Sequence, residues 1–305
     1  MAKSADLGAT DEALVELPDS EFVRQIDLLL CKSDPEQSIP WPSAPMPSWA
    51  PVFRPRHILD IGAGTGCFTS AVLQVLGQWG CLEALERVVL LDQDQSLLPN
   101  SAKWKQRFQN SIRNKNHASA NRKPAPLFDV ELRRRKLEVT TDGADAQFVS
   151  DGEVSEERFD LVICAHLTYY FGDGSGLALV SAIQKLLKRG GLLWLVIRSA
   201  VSPIYTARGS ALKSVGRLDP TPLHFSEVFD DIAAGSLPGL KLVERRDWGF
   251  LSSPSDDKRE MATYFLMWRK MPSHMAPGYQ AKAVRSLQGL EKPLFREVHY
   301  IFQAE

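Results

Sequence analysis

Asp60, Gly62, Gly64 and Gly66 stand at alternate positions after an apolar run, and Asp92 closes a second apolar run, Val88-Val-Leu-Leu91. Glycines at three alternate positions let backbone approach a bound molecule where a side chain would block it. Such a loop at one strand tip, with a carboxylate at the next, is how doubly wound sheets hold a nucleoside. Asp60 bears on which nucleoside. A pyrophosphate wants bare helix N-terminal amides, and a carboxylate two residues before the loop would repel it. A dinucleotide fingerprint also needs a third glycine one place later, where Cys67 stands. A cationic ligand suits the acid better. A tight turn without a ligand is the plain alternative.

A second stretch, Phe159-Asp-Leu-Val-Ile-Cys-Ala-His-Leu-Thr-Tyr-Tyr-Phe171, ends an apolar strand in His166, Tyr169 and Tyr170. Imidazole titrates near neutrality, so His166 at a strand tip can take a proton from an amine or orient its nitrogen. A histidine packed there with its ring satisfied by backbone is the alternative. Tyr169 and Tyr170 can wall a cationic or aromatic molecule with their ring faces, unless one of them is core. Arg198 follows another apolar run and can pair bidentately with a carboxylate, which points to an amino-acid-like molecule. It can equally bridge Glu21 or another acid structurally. No cluster of Asp and Asn ligands can be assembled at the strand tips, so no metal is expected.

These residues need strands that end together. The pattern predicts strands over residues 57–61, 88–91, 159–164, 192–197 and 240–247, with one more inside 128–139 and a last one over 296–303. Helices are expected over 67–77, around 97–110 and over 177–188, the last closed by Gly190-Gly191. Asp19 or Ser20 can cap a helix reaching residue 31, and further helices are expected over 257–270 and near 279–287. Residues 38–55 are rich in proline and tryptophan and read as an extended, packed connector. Strands alternating with helices imply a parallel sheet. The expected fold is α/β, a Rossmann-like doubly wound sheet of seven strands, mostly parallel with an antiparallel last strand, under an N-terminal helical cap. Its parts are the cap and connector (1–55), a cofactor-binding core (56–200), and a substrate-side lobe with the last strands (201–305).

At 305 residues the core can be substantial, and a net charge of −1 gives no support for a strongly basic nucleic-acid binder. The run Arg133-Arg-Arg-Lys136 reads as a solvated strand end, with an RNA-contacting patch as the rival. Cys31, Cys67, Cys81 and Cys164 are scattered, three of them in apolar contexts, so reduced buried thiols are expected rather than disulfides or a zinc site. The start of the chain is polar and acidic, and no apolar run reaches membrane-spanning length. A cytoplasmic monomer is the simplest expectation.

The spacing Asp60-x-Gly62-x-Gly64-x-Gly66 resembles the first motif of class I S-adenosylmethionine-dependent methyltransferases. Residues 159–171 take that class's fourth-strand position and lack the Asn/Asp-Pro-Pro-aromatic element of enzymes acting on nucleic-acid amines. The tail His166-Leu-Thr-Tyr-Tyr-Phe171 is similar to the histamine N-methyltransferase family, which carries a glutamine and then two tyrosines there. The order of segments extends the likeness over most of the chain. The chain departs from that family at His166, and its loop is Gly-Ala-Gly-Thr-Gly, so a related small amine is expected rather than histamine itself.

The resemblance implies S-adenosylmethionine as cofactor and S-adenosylhomocysteine as product. Gly62, Ala63, Gly64 and Gly66 would lie under its methionine part, with Asp60 near the ammonium. Asp92 would accept the ribose hydroxyls, with Asp94 as rival and Gln93 alongside. Asp151 would meet the adenine amino group, with Asp142 and Asp145 as rivals, and Ala165 would line the adenosine side through its backbone. His166, Tyr169, Tyr170 and Glu21 form the catalytic set; Glu21, His166, Tyr170, Arg198 and Glu297 form the substrate set. The helix dipole gives Glu21 a purely structural alternative. The expected activity is methyl transfer to the nitrogen of a small amine or amino-acid-like molecule. Rivals are a small-molecule O-methyltransferase, a protein or RNA methyltransferase, and a cofactor-binding protein without turnover.

Overall fold

A computed structural model describes residues 45–92, 127–134, 136–139, 146–149, 157–167, 175–199, 201–203, 237–250 and 295–305, with short pieces at 14–15, 105–106, 109–110, 230, 234 and 271–272. Glu21, Gln93, Asp94, Asp142, Asp145, Asp151, Tyr169 and Tyr170 lie outside the described residues, as do the helices expected after Asp19 or Ser20, over 257–270 and near 279–287.

The main elements in chain order are β1 (His57–Ile61), α1 (Cys67–Gln78), β2 (Arg87–Asp92), β3 (Asp129–Arg134), β4 (Lys136–Val139), β5 (Ala146–Val149), β6 (Phe159–Ala165), α2 (Ser175–Lys185), β7 (Leu187–Arg198), β8 (Leu240–Phe250) and β9 (Phe295–Ala304). Seven of the strands form one sheet in the order β3-β2-β1-β6-β7-β9-β8. Neighbours from β3 to β7 are parallel. The last strand, β9, enters between β7 and β8 and is antiparallel to both. The fold is the expected Rossmann-like α/β sheet, with the one reversed strand set inside the sheet.

β1, β2 and β6 are apolar along nearly their whole length because both faces are covered. Ile58, Val88, Leu90, Ile163, Trp194, Val196 and Ile301 pack on the α1 side with Val72, Leu73 and Leu76. Leu59, Val89, Val162, Leu195, Val298 and Phe302 pack on the α2 side with Leu179, Val180 and Ile183. The described part of the tryptophan-rich connector is packed as expected: Trp49 is buried and meets Phe53 and Trp79 edge-on, each at 5.6 Å. Asp160 ties the strand starts together, accepting from the backbone N–H groups of Arg56 (2.9 Å) and His57 (2.8 Å) and from Lys188 Nζ (2.9 Å).

Three expectations need correction. Gly190 and Gly191 do not close a helix: α2 ends at Lys185 and both glycines lie inside β7, where its register with β6 shifts between Phe159 and Leu161. Close backbone packing is the reason, since a Cβ on Gly191 would stand 2.8 Å from the Lys188 carbonyl oxygen. The single strand expected inside 128–139 is two, β3 in the main sheet and β4 in a separate hairpin with β5. Arg133 there is engaged by Glu131 (2.6 Å) and Glu157 (2.9 Å), which favours its structural reading over an RNA contact. Finally, Cys67 is disulfide-bonded and exposed, whereas Cys81 and Cys164 are buried thiols outside any disulfide. Apolar neighbours in sequence did not bury Cys67, because it begins a helix at the sheet edge. Among the described residues, no helix is long and apolar enough to cross a membrane.

Candidate active site

The strand order turns at β1, which has β2 on one side and β6 on the other. Crevices outside the carboxyl ends of parallel strands form where the order turns in this way. The sequence places the loop after β1, Asp92 at the end of β2, Ala165 and His166 at the end of β6, and Arg198 at the end of β7 on that one edge. Because β9 runs the opposite way, its beginning arrives there too, with Glu297 directly across from Arg198 in the register.

The loop is a succession of left-handed turns, with φ of 70° at Gly62, 54° at Gly64 and 76° at Gly66. L-residues with a Cβ pay for that conformation, which is why the alternate positions are glycine. Gly66 caps α1 without help from a side chain. Four of the loop amides are spent within the protein. Those of Gly62 (2.8 Å) and Ala63 (3.1 Å) donate to the Leu91 carbonyl at the end of β2, and that of Gly66 donates to Ala63 (2.8 Å). Gly64 donates to Asp92 Oδ2 at 2.8 Å. A pyrophosphate-binding loop keeps such N–H groups for its ligand, and these four are already bonded within the protein.

What the loop edge offers is negative charge. Asp60 and Asp92 are both buried at adjacent strand ends. Asp60 accepts from the Thr69 hydroxyl in α1 and so braces strand to helix beneath the loop. Asp92 spends one oxygen on Gly64, and a carboxylate has lone pairs enough to accept from a ligand as well. These residues fit an adenosine carrying positive groups, with Asp92 for the ribose and Asp60 lending charge from below. Ala165 is half-buried at the end of β6, and Leu167 lies over the loop, its Cδ1 3.0 Å from where a Cβ on Gly62 would stand.

His166 is the described non-glycine residue with positive φ, at 56°. Its own N–H donates to the Val196 carbonyl at 3.0 Å, which extends the β6–β7 pairing by one residue and fixes the turn. Left-handed backbone in a residue other than glycine marks a place where the fold imposes strain, and such places cluster at functional sites. The ring places Nε2 3.1 Å from Glu297 Oε2. Glu297 Oε1 lies 2.9 Å from His299 Nε2, and Trp194 Nε1 donates to His299 Nδ1 at 3.1 Å. Burial by itself pushes the Glu297 carboxyl up; the hydrogen bonding and charge of His166 and His299 outweigh it and lower it to about 2. On the His166 side, Nε2 lies within hydrogen-bonding distance of Oε2 but short of ideal geometry. The contact is best described as an ion-pair approach.

The structure thus gathers Asp60, the glycine loop, Asp92, Ala165, His166 and Glu297 at one edge, with Arg198 there by its place in the register. Thr69, His299 and Trp194 were not singled out by the sequence. Glu297-x-His299 carried a signal, since alternate residues of a strand share a face; nothing in the sequence pointed to Trp194 as their partner.

No protein-family model and no curated protein matches the chain. Solved structures share its shape distantly. A SAM-dependent methyltransferase from Thiobacillus denitrificans, in complex with S-adenosyl-L-homocysteine, is 13% identical over 95% of this chain and 100% of its own, with a TM-score of 0.41. N-methyltransferase NodS from Bradyrhizobium japonicum is 15% identical over 97% and 93%, with a TM-score of 0.33. A mycolic acid cyclopropane synthase is 13% identical over 83% and 80%, with a TM-score of 0.43. Likeness at this level carries no argument about activity, and none of the three points to the histamine N-methyltransferase family.

Proposed function

We propose that the protein is an S-adenosylmethionine-dependent methyltransferase acting on the nitrogen of a small amine or amino-acid-like molecule. The observation that carries this is the pair Asp60 and Asp92, buried at adjacent strand ends around a glycine loop that spends four of its amides internally. That chemistry suits a cationic adenosine compound and opposes an anionic dinucleotide. When bound, S-adenosylmethionine supplies a methyl group made electrophilic by positive sulfur. The chain's own residues supply position and proton handling. His166 stands at the tip of β6, and its ring backs onto Glu297. An ammonium has no lone pair to offer, so an amine must lose its proton first, and an imidazole backed by a carboxylate is a suitable acceptor for it. Holding two reactants together is worth roughly 7–11 kcal/mol in favourable cases.

The buried carboxylate behind His166 also favours a second reading, transfer to the oxygen of a small molecule, because a hydroxyl depends even more on a base. Labelled methyl transfer from S-adenosylmethionine to pooled amines, amino acids and phenols tests both at once. Methylated amine is the expected product. Methylated phenol alone moves the reading to the oxygen acceptor. Calorimetry that finds NAD bound and neither S-adenosylmethionine nor its demethylated product ends the proposal.

A further inference from the structure

We infer that Glu297, His299 and Trp194 form a buried positioning line behind His166, which turns the ring's Nδ1 to the methyl acceptor and steadies the ring once it has taken the acceptor's proton. This deepens the methyltransferase reading and rests on it for the identity of the acceptor. The wiring itself follows from donor chemistry. An indole N–H can only donate, so Trp194 Nε1, 3.1 Å from His299 Nδ1, requires a lone pair on that nitrogen. The hydrogen of His299 is therefore on Nε2, 2.9 Å from Glu297 Oε1. While it keeps the Trp194 bond, His299 presents its Nε2–H to Glu297.

Glu297 is only 2% exposed, and a buried carboxylate without an opposite charge is unfavourable. A protonated His166 can bring that charge, with Nε2 at 3.1 Å from Oε2. A ring that keeps its Nε2–H against the carboxylate has its lone pair on Nδ1 when neutral. The acceptor's N–H or O–H proton passes to Nδ1, its bonding electrons stay on the acceptor, and the new imidazolium rests against Glu297. Nothing is oxidised, and the proton leaves later to water. Glu297 thereby becomes a positioning residue and not a substrate contact.

Packing holds the line in place. His299 lies between Phe68 of α1, at 6.1 Å between ring centres, and Trp194, at 6.2 Å. Phe68 is the second residue of the helix that follows the glycine loop, so the support of the base and the cofactor loop share one element. Among the described residues, charged and titratable groups reach the surroundings of His166 from several strands. β9 brings Glu297 and His299; β7 brings Arg198, opposite Glu297 in the register; β8 brings Arg246, bonded to Glu244 at 2.7 Å. β1 brings Asp60, bonded to Thr69 of α1, and β6 brings Cys164, whose thiol burial pushes far up and so keeps protonated.

Nuclear magnetic resonance of the full chain labelled with 15N-histidine tests the wiring without turnover, the His166 signal being assigned among the six histidines with H166N. Neutral His166 is expected as the Nε2–H tautomer. Its titration midpoint is expected to fall by about 1–3 pH units in Glu297→Gln, the effect of losing an opposite charge at this range. Glu297→Asp keeps the charge and should retain part of the shift. Trp194→Phe frees His299 to change tautomer and should lower the midpoint less than Glu297→Gln. The acid limb of the pH profile of kcat/KM for the acceptor should move with the midpoint, while the KM for cofactor stays unchanged. An Nδ1–H tautomer in the wild type overturns the inference. So does a midpoint that none of the three variants moves, whatever the turnover. A shifted midpoint without methyl transfer to any acceptor supports the wiring and removes the activity reading alone.

Discussion

Gly64 donates its backbone N–H to Asp92 Oδ2 at 2.8 Å, tying the glycine loop to the acid at the end of the neighbouring strand. One carboxylate at the end of β2 therefore shapes the loop after β1. Asp92→Ala leaves a buried N–H without an acceptor and should cost about 1–3 kcal/mol of stability. Asp92→Asn keeps an acceptor oxygen and should stay close to the wild type in denaturant titration. Both should weaken S-adenosylmethionine binding about 10- to 100-fold, through loss of charge-assisted bonds to the ribose. Calorimetry showing unchanged affinity in both variants would remove the ribose assignment.

Gly62 combines a φ of 70° with a close neighbour, since an added Cβ would stand 3.0 Å from Leu167 Cδ1. Gly62→Ala should destabilise by about 1–2 kcal/mol from the backbone alone, with crowding added. Leu167→Ala should relieve only the crowding. In a double-mutant cycle by urea unfolding, the two changes should couple favourably. Strict additivity would mean that Leu167 does not lie over the loop.

His166 holds a φ of 56° that asparagine tolerates better than alanine. His166→Asn should therefore unfold at higher temperature than His166→Ala. Both should lose methyl transfer by about 100-fold or more, the usual contribution of an acid–base group, and both should bind cofactor normally. Turnover preserved in the asparagine variant would reassign His166 to structure.

Glu297 has a folded-state carboxyl lowered to about 2 from an ordinary 4.5. A depressed carboxylate contributes stability that is complete above its unfolded value and lost as pH falls through the folded one. The wild type should lose stability between about pH 4.5 and pH 2, and Glu297→Gln should lose less across that window. Thermal unfolding at stepped pH gives the comparison. Parallel curves for the two proteins would show that Glu297 is not ionised in the fold.

Much of this was legible because it is local. The strand–loop–helix unit at residues 57–78 appears in the sequence as an apolar run, alternate glycines and an amphipathic stretch, and each of those signals acts over a few residues. The acid ending β2 and the histidine ending β6 were readable for the same reason. Gly190-Gly191 misled because a glycine pair suits a helix end and a crowded strand equally well. Cys67 misled because its neighbours are apolar while its own position is exposed.

By itself the sequence determined the core of the parallel sheet, the left-handed turns that demand glycine, and which residue types stand at strand tips. The tertiary structure alone decided which tips meet. β9 is inserted between β7 and β8 against the direction of both, and this carries Glu297 to the edge where His166 waits. The same register sets Trp194 and His299, 105 residues apart, within one hydrogen bond. A strand's apolar pattern encodes which face it buries; its direction and its neighbours depend on how the whole sheet covers its two faces. That is why the histidine at the strand tip was legible and the residues behind it were not.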